Sequence, residues 1–198
     1  MLVYCTKVIT KVGRKVGALH RVRRSLTLWS RRQYLTAVIQ ADLLYASSVY
    51  MHTLSAVDWD RVQKIYKSAL RAAALEPPWA SSAPILQRLQ LRPLKVCIDA
   101  KRLSVVYRAL HGMASPLLSA LFISRSSVTI GRQTRGNTFG DLVLPTIHRN
   151  RKLFTFHSAV EWNSLPRSVR LSPSLTVFKS AYLSYLGYHV IRSEEHTS

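Results

Sequence analysis

Acidic side chains are scarce in this sequence. Nine Asp and Glu stand against 29 Lys and Arg in 198 residues, a formal net charge of +20 with a pI near 10.8. No acid precedes Asp42, and Asp42 alone precedes Asp58. This leaves little from which to build a carboxylate metal cradle. Asp58 and Asp60 are the one close pair ahead of the C-terminal tail, and alternate residues do not share a helix face. They read instead as helix-start residues, Asp58 as the cap and Asp60 in the positive first turn.

Cysteine is scarcer still. Cys5 and Cys97 are too few for a disulfide framework and form no Cys-x-x-Cys pair, which fits a reducing, intracellular compartment. No run of about 18 apolar residues exists to span a bilayer. The apolar stretch at the N-terminus is too short and too early charged for a secretory signal. There is no Gly-x-x-x-x-Gly-Lys phosphate loop and no Gly-x-Ser-x-Gly nucleophile elbow. The seven histidines are scattered, and His148 and His157 share only a segment, so no metal ligand and no catalytic residue is assigned.

What remains is a hydrophobic, basic chain. At 47% hydrophobic residues it can bury a core. Its charge attracts polyanions, nucleic acid first and an anionic membrane surface second. Residues 1–32 carry nine Lys/Arg and no acid. Val8, Val12, Val16 and Leu19 recur there at helical spacing, although Gly13 and Gly17 weaken a helix. Lys7, Lys11, Arg14, Lys15, Arg21, Arg23 and Arg24 form a first candidate phosphate-binding patch. Arg132 and Arg135, flanked by Gly131 and Gly136, form a second, where glycine permits close backbone approach. Aromatics interleave poorly with either patch, so base stacking is not evident.

The pattern predicts a mainly α-helical chain: a helical bundle over residues 1–123, then a small α+β module over 124–191. Leu35, Ile39, Leu43, Ala46, Tyr50 and Leu54 line one long helix. Asp42, mid-helix on the apolar side, calls for a buried ion pair with Arg31, Arg32 or a neighbouring helix. Val62, Ile65, Tyr66, Ala69, Leu70 and Ala73 make the stripe of the next helix, which Pro77 and Pro78 end. A short helix opens at Ser82 and Pro84, and another at Ser115 and Pro116. Between them a central helix runs from about Pro93 to Leu110, with Gly112 as its stop. Residues 124–145 then read as a loop ending in a short strand near Leu142–Leu144. A second strand is expected over Leu153–Phe156, passing into helix by Ala159. A last helix, capped by Ser174, presents Leu175, Phe178, Tyr182 and Leu186.

Residues 192–198, Arg-Ser-Glu-Glu-His-Thr-Ser, break the composition by placing two acids side by side. One back-translation of them matches the start of a common sequencing-library adapter, and they are read as an artefactual tail. Without them 28 basic residues face seven acidic ones, a net of +21.

The order of several segments carries a resemblance. "YLTAVIQADLLYASSVY", "WDRVQKIYKSALRAAALEPP", "LQLRPLKVCIDAKRLSVVYRALHG", "LVLP" and "AVEWNSLPRSVRLSPSLTVFKSAYLSYL" together resemble the C-terminal region of reverse transcriptases from non-LTR (LINE-like) retrotransposons. The resemblance covers about residues 10–187. Its most specific parts are Trp162-Asn163-Ser164-Leu165-Pro166 with Phe178, and Tyr107-Arg108-Ala109-Leu110-His111-Gly112. It implies the thumb and post-thumb helices of an RNA-directed DNA polymerase. In that family the palm, with its Tyr-x-Asp-Asp box, lies upstream, and no such box occurs here. Two-metal chemistry needs those carboxylates, so Mg²⁺ would belong to the missing palm and this chain carries no cofactor. The family's Leu-x-x-Pro-x-Leu-x-Tyr appears here as Gln40 to Tyr45 without the Pro, and no Cys/His zinc knuckle can form. Trp162 and Leu165 are expected to anchor an elbow that Pro166 stops, with Phe178 and Tyr182 packed against the body. The functional expectation is a fragment that binds template or primer, RNA or DNA, through phosphates but does not polymerise. The alternatives are a helical protein-interaction domain and a remnant of a dead element.

Overall fold

The computed structural model describes residues 2–45, 47, 54–125, 140–144 and 154–188, and the side chains of residues 2–5 are left aside. The chain divides into two compact units, Met1–Asp99 and Ala100–Ser198. Among the described residues the architecture is helical, and the one β feature is an isolated antiparallel bridge between Ser124 and Leu142.

The first unit opens with α1, Leu2–Val22, which runs unbroken through Gly13 and Gly17. Val12, Val16 and Leu19 are its buried stripe. The expected single helix beyond Arg31 is three consecutive pieces: α2 (Leu28–Tyr34), a π-helical stretch (Leu35–Gln40) and α3 (Ala41–Leu44). At the start of the π stretch the Thr36 hydroxyl donates to the carbonyls of Arg32 and Gln33, both at 3.1 Å, a back-bond of the kind that bends helices. At its end the Ala41 amide donates to the Thr36 carbonyl five residues back. Leu35, Ile39 and Leu43 are buried as the sequence pattern requires, whereas Ala46 and Tyr50 lie outside the described residues.

α4 spans Ala56–Ala74. Its cap is Ser55, not Asp58: the Ser55 Oγ accepts from the Asp58 amide at 3.1 Å and donates to the Asp58 carboxylate at 2.8 Å. A hydroxyl both donates and accepts, so Ser55 caps the helix while holding the carboxylate of Asp58, which occupies the third helical position. Val62, Tyr66, Ala69, Leu70 and Ala73 are buried along the predicted stripe. The helix ends at Leu75, which takes the left-handed conformation at φ 59° ahead of Pro77 and Pro78. That is a position where a β-carbon costs about 1 kcal/mol. α5 (Ser82–Arg88) adds Ile85, and α6 (Leu94–Leu110) adds Leu94 and Ile98 to this first core.

Four arginines of the first unit stitch its helix ends together. The buried Arg31 donates to the carbonyls of Ala73 (2.7 Å), Arg23 (2.9 Å) and Leu26 (2.7 Å). Arg32 donates to Leu89 O at 2.8 Å, Arg71 to Ala80 O at 2.9 Å, and Arg88 to Ala74 O. The guanidinium fork suits this work, because the last carbonyls of a helix have no partner within it. Part of the positive charge therefore serves the fold.

The second core begins inside α6. Leu103, Val106 and Tyr107 pack with Phe122, Leu142, Trp162, Val169 and Phe178. The two compact units divide at residue 99/100, and Leu103 to Phe122 share one core with Leu142, Trp162 and Phe178. Gly112, at φ 69°, stops α6 as predicted, with the Met113 amide donating to Arg108 O at 2.8 Å. α7 (Pro116–Ser119), α8 (Phe154–Ser164), α9 (Arg167–Arg170) and α10 (Leu175–Tyr185) complete the described elements. Two expectations change. Phe154–Phe156 is the first turn of α8, not a strand; Ser158, Ala159 and Trp162 continue a helical stripe that outweighs two alternating residues. Leu142–Leu144 forms no strand, only the bridge with its bonds Val143 N to Ile123 O and Arg125 N to Asp141 O, both 2.8 Å.

Candidate nucleic-acid interface

The first basic patch is set out by α1. Lys7, Lys11, Arg14 and Arg21 follow one another by four, three and seven residues, which keeps them on one side of a helix. All four are exposed, opposite the Val12–Val16–Leu19 stripe. At 1.5 Å per residue the row is about 21 Å long. Arg23, half-buried, and Arg24, exposed, follow in the turn after α1.

Lys15 sits on the flank of that row. It and Lys11 hold the single early acid: Asp42 Oδ1 lies 3.1 Å from Lys11 Nζ and Oδ2 lies 2.6 Å from Lys15 Nζ. Asp42 therefore pairs with the neighbouring helix rather than with Arg31 or Arg32. Burial raises its carboxyl, but the Lys15 and Lys11 hydrogen bonds and charges outweigh burial and hold it below its ordinary value. One carboxylate thus balances one of these two lysine charges and leaves the row cationic.

Near the end of α1, His20 faces a cleft of about 470 Å³ lined by Arg23, Ser68, Arg71 and Glu76 among others. Its Nε2 lies 3.2 Å from Ser68 Oγ, and Nδ1 is 3.0 Å from the Arg23 guanidinium. A guanidinium only donates, so Nδ1 accepts and the proton sits on Nε2. Burial, then the Arg23 charge, lowers the imidazole from its ordinary value. The second patch, Arg132 and Arg135 with Gly131 and Gly136, lies outside the described residues.

The Trp-Asn-x-Leu-Pro elbow packs the second core and also holds main chain. Trp162 is 2% exposed and stacks on Phe178 with centroids 5.6 Å apart, and Phe178 in turn stacks on Tyr107 at 4.9 Å. Leu165 is buried and Pro166 caps α9. Beyond packing, the elbow grips the segment 140–144 by its main chain. Trp162 Nε1 donates to Gly140 O at 3.2 Å. Asn163 Oδ1 accepts from Leu142 N at 2.8 Å while its Nδ2 donates to Leu142 O at 2.9 Å. Arg170 pairs with Asp141. The Tyr107 hydroxyl adds a 2.7 Å bond to Ser172 O.

Other candidate chemistry is accounted for locally. Asp58 pairs with Arg61 and Asp60 with Lys64, on diverging faces. Burial raises the Cys97 thiol, against the opposing pull of Arg92 and a 3.2 Å hydrogen bond from Gln40. Among the described residues no three His, Cys, Asp or Glu come together to hold a metal ion, and no helix is long and apolar enough to cross a membrane.

Fold and surface together define a mainly helical chain with an exposed cationic row on its first helix. No protein-family model, curated protein or solved structure matches it.

Proposed function

We propose that this chain binds RNA or DNA through phosphate contacts along α1, and that it is a fragment of a retrotransposon RNA-directed DNA polymerase without the catalytic palm. The observation that carries the binding is the exposed row Lys7, Lys11, Arg14 and Arg21, of which, among the described residues, only Lys11 shares its charge with a carboxylate. A flexible cationic row answers a phosphate chain without reading bases, so binding is sequence-tolerant and driven by counterion release. The fragment assignment rests on the segment order described above and on the absence of a Tyr-x-Asp-Asp box in the sequence.

The test is the salt dependence of binding to a labelled oligonucleotide. Log affinity falls steeply with log salt, and Lys7→Gln, Arg14→Gln and Arg21→Gln each reduce the slope by about 0.7–0.9. A companion assay with primer, RNA template, nucleotides and Mg²⁺ gives no extension; extension by the purified chain overturns the fragment reading. A helical protein-interaction domain is the second reading, favoured by the exposure of Trp29 and Trp79. It predicts affinity for polyanions that is weak and indifferent to these three substitutions.

A further inference from the structure

Beside the cationic row lies a groove of about 460 Å³, walled by Lys7, Val8 and Lys11 of α1 and by Ala41, Asp42 and Tyr45 of the α3 end. Tyr45 is 70% exposed, although it is an aromatic immediately after a helix whose Leu43 is fully buried. Its backbone is fixed: the Tyr45 amide donates to Ala41 O at 2.9 Å and its ψ of 124° turns the chain out of α3. The ring therefore stands at the edge of an apolar groove whose opposite wall carries two lysines. Charge and aromaticity, separated by 34 residues or more in sequence, meet at one place.

We infer that this groove takes a nucleobase of a single strand, stacked on Tyr45, while Lys7 and Lys11 hold the adjoining phosphates. The inference rests on the nucleic-acid reading above and narrows it to single strands, because a base inside a duplex has no free face to offer. The physical ingredients are those such sites require: a π surface tolerant of any base, an apolar floor from Val8 and Ala41, and cations spaced along one wall. Asp42 does not repel the backbone, since both of its oxygens face Lys11 and Lys15. An acidic peptide would satisfy the lysines but would leave the ring and the apolar floor without a planar partner.

The experiment compares a labelled oligouridylate with an abasic strand of the same length and charge, both at low salt, on the full chain. Wild type prefers the base-bearing strand by about tenfold, the ratio that about 1.4 kcal/mol of stacking gives. Tyr45→Ala brings the two strands to near parity with abasic affinity unchanged, and Tyr45→Phe keeps the preference. Far-UV circular dichroism establishes that both variants fold. Equal wild-type affinity for the two strands overturns the inference while leaving phosphate binding intact. A preference that survives Tyr45→Ala overturns it as well, since the bases are then read elsewhere. Failure of either strand to bind wild type removes the nucleic-acid reading along with it.

Discussion

Asn163 makes both backbone hydrogen bonds of Leu142: one carboxamide accepts from its amide at 2.8 Å and donates to its carbonyl at 2.9 Å. Leu142 is fully buried, so a side chain stands in for the neighbouring strand that would otherwise satisfy these groups.

Removing that carboxamide has a defined cost. Asn163→Ala leaves a buried donor and a buried acceptor unpaired, at about 1–3 kcal/mol each before relaxation, so a loss of about 2–4 kcal/mol is expected. Asn163→Asp keeps an acceptor for the amide but faces the Leu142 carbonyl with a second oxygen, and recovers little. Urea unfolding measures the loss, and faster hydrogen exchange at the Leu142 amide localises it. An unchanged Leu142 exchange rate in Asn163→Ala would refute the assignment.

Asp42 offers a test that separates stability from binding. Asp42→Asn releases Lys11 and Lys15 and adds one unit of positive charge. The fold loses about 1 kcal/mol, as for a partly exposed ion pair. Polyanion affinity at low salt rises a few-fold, with a slope steeper by about one unit. Because the folded carboxyl lies below its ordinary value, the stability it contributes is present above that value and lost as pH falls through the lower folded one. The substitution flattens this acid limb. Affinity that drops in Asp42→Asn would show that the row does not contact phosphate.

His20 governs a separate limb. Burial and then Arg23 lower its folded value from 6.5, so the neutral ring is the form the fold prefers. Below pH 6.5 the unfolded chain takes up a proton that the folded chain does not, and stability declines as pH falls. Thermal midpoints between about pH 8 and pH 5 follow this decline in wild type, and His20→Gln removes it. A decline of equal size in both proteins would assign it to other groups.

Much of the fold is legible in the sequence because it rests on local periodicity. The α4 stripe, the Gly112 stop and the Ser174 cap, whose hydroxyl accepts from Val177 N at 3.3 Å, all depend on residues within a few positions of one another. Two alternating phenylalanines mislead over Phe154–Phe156, since a pair of residues cannot tell a period of two from the start of a longer one. The site is less legible. The lysines on α1 are plain, but that Asp42 answers two of them, and that Tyr45 shares their groove, depends on how α1 and α3 pack. The task of Asn163 is hidden for another reason: its partner is main chain, which leaves no mark on residue type 21 positions away.

The widened turn at Leu35–Gln40 acts as a phase adjuster. It holds about one residue more than the same turn of α-helix would, so it sets the angle at which Asp42 and Tyr45 emerge. Were the same six residues to wind as an α-helix, each would turn further and the following turn would swing by roughly 100°. Asp42 would then point away from its two lysines and Tyr45 away from its groove. The apparent irregularity is thus the spacer that lets an acid and an aromatic ring reach the same helix.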